Sequence, residues 1–100
     1  MLSLSLVAQK KIDFEIIQTS AVCEMCENLI IKNTLAFEKG IKYAEMDLKT
    51  GALGVRFRND KISLNRIRLL ISQLGYSADS LKADPKAFEA LHFCCKEKRE

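Results

Sequence analysis

Residues 43–58 read Tyr43-Ala44-Glu45-Met46-Asp47-Leu48-Lys49-Thr50-Gly51-Ala52-Leu53-Gly54-Val55-Arg56-Phe57-Arg58, and their pattern decides the fold. Ala44, Met46 and Leu48 alternate with polar neighbours, the period of a strand with one buried face. Thr50-Gly51 supplies turn chemistry. Leu53, Val55 and Phe57 then alternate with Gly54, Arg56 and Arg58, which makes a second arm. Two alternating arms across a glycine-containing turn predict a β-hairpin in mid-chain.

On the N-terminal side of this hairpin, Ile12, Phe14 and Ile16 alternate with Asp13 and Glu15, so residues 11–18 read as a half-buried strand. Residues 19–22 form a loop. Residues 26–38 read as a helix with Leu29, Ile30, Asn33 and Phe37 on one side, and Lys39-Gly40 ends it. On the C-terminal side, Asn59-Asp60 breaks the strand and Ser63 is placed to cap a helix over residues 64–74. Leu64, Ile67, Leu70, Ile71 and Leu74 form its apolar stripe, and Gly75 stops it. Residues 77–82 read as a short final strand. Asp84-Pro85 then supplies a cap and a first helical position for a short third helix that ends near Cys94. The order β-α-β-β-α-β predicts an α+β, ferredoxin-like sandwich. Its expected form is a four-stranded antiparallel sheet with both main helices on one face and a short extra C-terminal helix.

A chain of 100 residues is one domain long. With 48% hydrophobic and 29% charged residues it has the composition of a soluble globular protein that builds a core without disulfide staples. Gly and Pro are scarce, and no linker, repeat or low-complexity tract is visible. The net charge of +3 is mild and its lysines and arginines are scattered, with no basic stripe interleaved with aromatics, which argues against nucleic acid as a partner. Residues 1–10 carry a short apolar run that is too short to span a bilayer. It reads either as the remnant of a signal peptide cut near Ala8 or as a strand-extending N-terminus. The organisation expected is therefore an N-terminal segment (1–10), a domain (11–82) and a C-terminal helix with its tail (83–100).

Cys23, Cys26, Cys94 and Cys95 fall in two tight pairs, CxxC and CC, near opposite ends of the chain. Disulfide frameworks spread their cysteines along loop-rich sequences. Pairs at chelating distance flanking an ordinary hydrophobic domain point instead to a metal or redox site. Thiolates are soft ligands that select copper(I), mercury(II), zinc or cadmium over magnesium or calcium. Cys23 in a loop and Cys26 in the first helical turn aim two sulfurs at one ion, and the helix N-terminus favours their thiolate form.

Cys23-Glu24-Met25-Cys26 between first strand and first helix, Gly40-Ile41-Lys42-Tyr43-Ala44-Glu45-Met46-Asp47-Leu48 over the second strand, and Leu74-Gly75-Tyr76 after the second helix together resemble the heavy-metal-associated domain. That family includes bacterial copper chaperones, modules of copper-transporting ATPases and periplasmic mercury-binding proteins. The resemblance spans about residues 11–82. It implies a non-enzymatic carrier of copper(I), with mercury(II) or zinc as other cargoes, for trafficking or detoxification. It also implies a transient partner such as a metal-transporting ATPase or a membrane transporter. Tyr76 matches a position beside the metal loop, where a tyrosine shields or tunes the site. One departure is Ser20-Ala21-Val22, where the family carries Gly-Met-x and the Met anchors the loop. Cys94-Cys95 is another, because it lies beyond the common domain.

If the third helix folds back along the sheet, Cys94 and Cys95 return towards Cys23 and Cys26 and enlarge the site to three or four sulfurs, which favours a tetrahedral ion such as zinc or cadmium. Adjacent cysteines do not form a relaxed disulfide with each other, because their Cα separation is below the bridge range. The competing function is a thiol-disulfide oxidoreductase using the same CxxC. The element order is not that of thioredoxin, and Pro85, the only proline, follows the last strand. A periplasmic or exported location is favoured over a cytoplasmic one.

Overall fold

The computed structural model describes residues 11–96. The N-terminal segment 1–10, and with it the signal-peptide expectation, lies outside the described residues. Strand β1 is Ile12–Gln18, β2 is Ile41–Asp47 and β3 is Ala52–Arg58. Helix α1 is Glu24–Glu27 and runs straight into a π-helical turn, Asn28–Lys32, and then a 3₁₀ turn, Leu35–Phe37. Helix α2 is Leu64–Gln73, α3 is Pro85–Glu89, and a last 3₁₀ turn covers Phe93–Lys96.

The mid-chain hairpin forms with Met46 opposite Leu53 and Asp47 opposite Ala52. Gly51 closes its turn at φ 83°, a left-handed conformation that glycine adopts without a Cβ clash. Its N–H donates to the Asp47 carbonyl at 2.7 Å. β1 runs antiparallel to β3, from Ile12 opposite Arg58 to Gln18 opposite Ala52. The sheet order is thus β1-β3-β2. Leu53, Val55 and Phe57 from the central strand are buried with Ile17, and Ile30, Leu35, Ile67 and Ile71 from the helical segments complete the core. Each such side chain contributes about 1.5–3 kcal/mol by leaving water. The Ser63 hydroxyl accepts the Arg66 N–H at 3.0 Å, so α2 is capped where the sequence indicates.

The expected four-stranded sheet is incorrect: the sheet has three strands, with helical segments inserted between them. Residues 77–82 make isolated bridges instead of a strand, Ala78 facing Thr19 and then Leu81. The cause is a tight reversal. Ala78 and Leu81 exchange both backbone hydrogen bonds, at 2.9 and 3.0 Å, while Asp79 sits at φ 55°. The chain therefore touches the edge of β1 once and turns away. At that touch the Asp79 N–H donates to the Gln18 carbonyl, and the Asp79 carboxylate accepts the Gln18 N–H. Arg68 pairs with the same carboxylate at 2.9 Å and fixes the turn. Asp tolerates the left-handed region better than most residues, so the reversal is encoded in Ala78-Asp79-Ser80.

The first helix also departs from expectation. The π-helical turn ends at Lys32, and Thr34 leaves helical geometry at φ −129° and ψ −67°, so residues 35–37 form a separate turn with its own orientation. Leu35 consequently fills the core at 0% exposure, while Phe37, read as inward, is 80% exposed. No helix among the described residues is long and apolar enough to cross a membrane.

Candidate metal centre

Cys23 is the residue before α1 and has an extended backbone. Its carbonyl accepts the N–H groups of Cys26 and Glu27 at 2.9 and 3.2 Å, so both cysteines are fixed by the first helical turn. The preceding loop is held by side chains. The Thr19 hydroxyl donates to the Gly51 carbonyl at 2.7 Å and accepts the Ala21 N–H at 3.1 Å. The Ser20 hydroxyl accepts the Ser77 N–H at 3.0 Å. Ala21, standing where related domains carry a larger packing residue, is still fully buried. These Ser and Thr contacts do the anchoring, and their signal in the sequence is the hydroxyl pair directly before Ala21.

The C-terminal cysteines arrive by a route other than a last strand and a returning helix. After the reversal at Ala78–Leu81, the Lys82 carbonyl accepts from the Ser72 hydroxyl at 2.7 Å, and the Asp84 N–H donates to the Ser72 carbonyl at 3.0 Å. Helix α3 therefore starts against α2. Asp84 caps it by accepting the Ala87 N–H at 3.0 Å, with Pro85 at its first turn. Gly75, at φ +108°, lets α3 lie close: a Cβ there would meet backbone atoms of Ala87 and Phe88 at 2.9 Å. The last 3₁₀ turn then presents Cys94 and Cys95 to the CxxC loop.

The sulfurs of Cys23, Cys94 and Cys95 all lie within 4.8 Å of one another, and Cys26 adjoins this group through Cys23 and Cys95. Cys23 and Cys94 are joined as a disulfide, with a Cα separation of 6.5 Å. Cys26 and Cys95 are free thiols whose sulfurs are 2.7 Å apart. Cys23 lies 3.4 Å from Cys26 and 3.5 Å from Cys95, and the Cys94 and Cys95 sulfurs are 4.0 Å apart. Cys26 and Cys95 are buried, whereas Cys23 and Cys94 are half-buried. Nothing in the spacing of the cysteines signals the Cys23–Cys94 pairing, because 71 residues separate them.

Tyr76 is fully buried, and its hydroxyl has no oxygen or nitrogen partner. It lies against the sulfurs of Cys26 and Cys95, and burial together with those two groups pushes its ionisation far above the ordinary range. Burial also pushes Cys26 up, but hydrogen bonding from Cys95, Tyr76 and the backbone at Val22 and Cys23 outweighs it and leaves that thiol below its usual value. Cys95 is held above its usual value, by burial first and then by Cys26. The two thiols are therefore shifted in opposite directions, Cys26 down and Cys95 up. Met25 is 50% exposed and faces no sulfur partner among the described hydrogen bonds. The His92 Nδ1 accepts the Cys94 N–H at 3.3 Å and shapes the last turn.

The donor set fits a soft ion. A tetrahedral ion with metal–sulfur bonds of about 2.3 Å holds its sulfurs about 3.8 Å apart. Three of the separations, 3.4, 3.5 and 4.0 Å, are already near that value. For all four to bind, Cys26 and Cys95 need to part by about an ångström, Cys26, which lies outside the group formed by Cys23, Cys94 and Cys95, needs to move towards Cys94, and Cys23 and Cys94 need to be reduced.

Comparison with solved structures places the fold. The chain superposes on a CopZ metallochaperone with a TM-score of 0.62 and 21% identity, covering 66% of this chain and 98% of that one. A protein from Bacillus anthracis str. Ames, provisionally named as copper-ion-binding, gives 0.63 and 20% identity over 68% of this chain and 96% of that one. The ZiaAN sub mutant gives 0.60 and 26% identity over 68% and 96%. No family model matches the chain. No curated protein matches it either. The chain therefore shares the fold of copper-chaperone-like domains and carries a cysteine cluster, and about a third of its length has no counterpart in them.

Proposed function

We propose that the reduced chain is a carrier of a soft metal ion, copper(I) before mercury(II) or zinc, held by Cys23 and Cys26 with Cys94 and Cys95 completing the coordination. The observation that carries this reading is the clustering of sulfurs from opposite ends of the chain, with Cys23, Cys94 and Cys95 within 4.8 Å of one another and Cys26 beside Cys23 and Cys95. Thiolates at these separations are a donor set for thiophilic ions and for little else. The similarity in fold to a CopZ metallochaperone supports a carrier in place of a catalyst. On this reading Tyr76 donates its hydroxyl to the thiolates of the complex, which satisfies an otherwise orphaned buried group.

Delivery proceeds by ligand exchange with a partner that offers its own thiolates, such as a metal-transporting ATPase or a membrane transporter. Cys23 and Cys94 are the half-buried ligands, so an incoming thiolate meets them first. In a periplasmic or exported setting, where disulfides form, a reductant opens the Cys23–Cys94 bond before the site loads.

A second reading, thiol-disulfide exchange, is favoured by one observation: the free Cys26 sulfur is 3.4 Å from Cys23, a member of the bond. An anaerobic titration of the reduced chain with copper(I) against a chromophoric chelator separates the two. Tight binding of one ion, with no acceleration of disulfide exchange in a reporter peptide, supports the carrier. Failure to compete with the chelator, together with rapid exchange, overturns it.

A further inference from the structure

We infer that the Cys23–Cys94 bond is a redox gate on the metal site: closing it withdraws two of the four sulfurs and releases the ion, and reducing it restores the site. The inference rests on the soft-metal reading and adds its regulation.

Several observations select this pair over the alternatives. The Cα atoms of Cys23 and Cys94 are 6.5 Å apart, inside the range a disulfide spans. Cys94 and Cys95 are neighbours in sequence, so their Cα separation of about 3.8 Å is too short for a relaxed bridge. Cys26 and Cys95 are nearly inaccessible, at 0% and 4% exposure. An external oxidant therefore reaches Cys23 and Cys94 first. The gate also spans the fold. It ties the CxxC loop to the last turn, so its state is felt by both halves of the ligand set.

The oxidant is an organic disulfide, either of low molecular weight or carried by a partner protein. One thiolate of the pair attacks it, forming a mixed disulfide and expelling one thiolate. The second thiolate attacks the protein sulfur of that mixed disulfide, closing Cys23–Cys94 and expelling the second organic thiolate. The two thiolates of the chain lose two electrons in forming the bond, and the organic disulfide gains them, leaving as two thiolates that take their protons from water. The metal–sulfur bonds to Cys23 and Cys94 break in the same exchange. Cys26 and Cys95 remain as a buried, hydrogen-bonded thiol pair whose sulfurs stand closer together than two ligands of one ion do.

The test uses the full chain and glutathione. Reduced protein is equilibrated with oxidised glutathione, freed of it, alkylated, and mapped by peptide mass spectrometry. The gel-filtered disulfide form and the reduced form are then titrated anaerobically with copper(I). We expect a Cys23–Cys94 bond with Cys26 and Cys95 alkylated, a loss of copper(I) affinity of about tenfold or more, and full recovery on reduction. A Cys23–Cys26 bond, or equal affinity in the two forms, overturns the gate while leaving the carrier intact. A reduced form that binds no copper(I) overturns the carrier and the gate with it, and the two failures are told apart by that single titration.

Discussion

Cys26 and Cys95, 69 residues apart in the chain, hold their sulfurs 2.7 Å from each other beside the hydroxyl of Tyr76. Among the groups that lower Cys26, Cys95 ranks first, and it acts against burial. In the chain with Cys23 and Cys94 joined, these two are the only cysteines that titrate. Replacing Cys95 with Ala removes that hydrogen bond and leaves burial in place. The thiolate absorbance of Cys26 should then appear at higher pH than in the parent. An unchanged or lower midpoint would show that Cys95 does not lower Cys26.

Tyr76→Phe removes a buried hydroxyl that has no oxygen or nitrogen partner. The metal-free fold loses only the weak contact of this hydroxyl with the Cys26 and Cys95 sulfurs, so its melting temperature should be little changed. Binding of copper(I) should weaken by about tenfold or more, the usual effect of removing a group that supports a ligand. A variant that melts much lower and binds copper(I) normally would assign Tyr76 to packing alone.

Gly75→Ala tests how the last helix is held. A Cβ there would press on backbone at Ala87 and Phe88 at 2.9 Å, and φ +108° strains any L-residue. The expected cost is about 1–3 kcal/mol, with α3 displaced and the Cys23–Cys94 bond formed less readily. Gly51→Ala at φ 83° is the control. It strains the hairpin turn by about 1–2 kcal/mol and should leave bond formation unaltered once the protein is folded.

The open edge of β1 gives a prediction by hydrogen exchange. Gln18 directs its N–H and carbonyl away from β3, towards Asp79. By strand alternation the N–H groups of Phe14 and Ile16 point the same way. Among the described residues no strand pairs with them. Their amides should exchange much faster than that of Gln18, which the Asp79 carboxylate caps. Equal protection along the whole edge would mean that a further strand covers it.

The hairpin, the Ser63 and Asp84 caps and the stripe of α2 were legible because each rests on local periodicity or a single capping residue; the first strand was legible as an element, but Ile12, Phe14 and Ile16 are exposed and Ile17 is its buried residue. The fourth strand was not. Its residues 77–82 have weak alternation, and the reversal depends on Asp79 finding both Gln18 and Arg68, which are distant in sequence. Phe37 was misplaced because the helix breaks at Thr34, which an apolar count does not mark, and the separate turn that follows puts Leu35 into the core instead. At the site, the residue types and the CxxC spacing announced soft-metal chemistry. The pairing of Cys23 with Cys94 was hidden, because it is set by how α3 lies against Gly75.

The most direct test of the central claim counts sulfurs. X-ray absorption at the copper edge would be recorded on the reduced, copper(I)-loaded chain and on a Cys94→Ser/Cys95→Ser variant. The account predicts three or four sulfur neighbours in the parent and two in the variant. Two sulfurs in both would contradict it: the ion would then sit on Cys23 and Cys26 alone, and the C-terminal pair would stand apart from the metal.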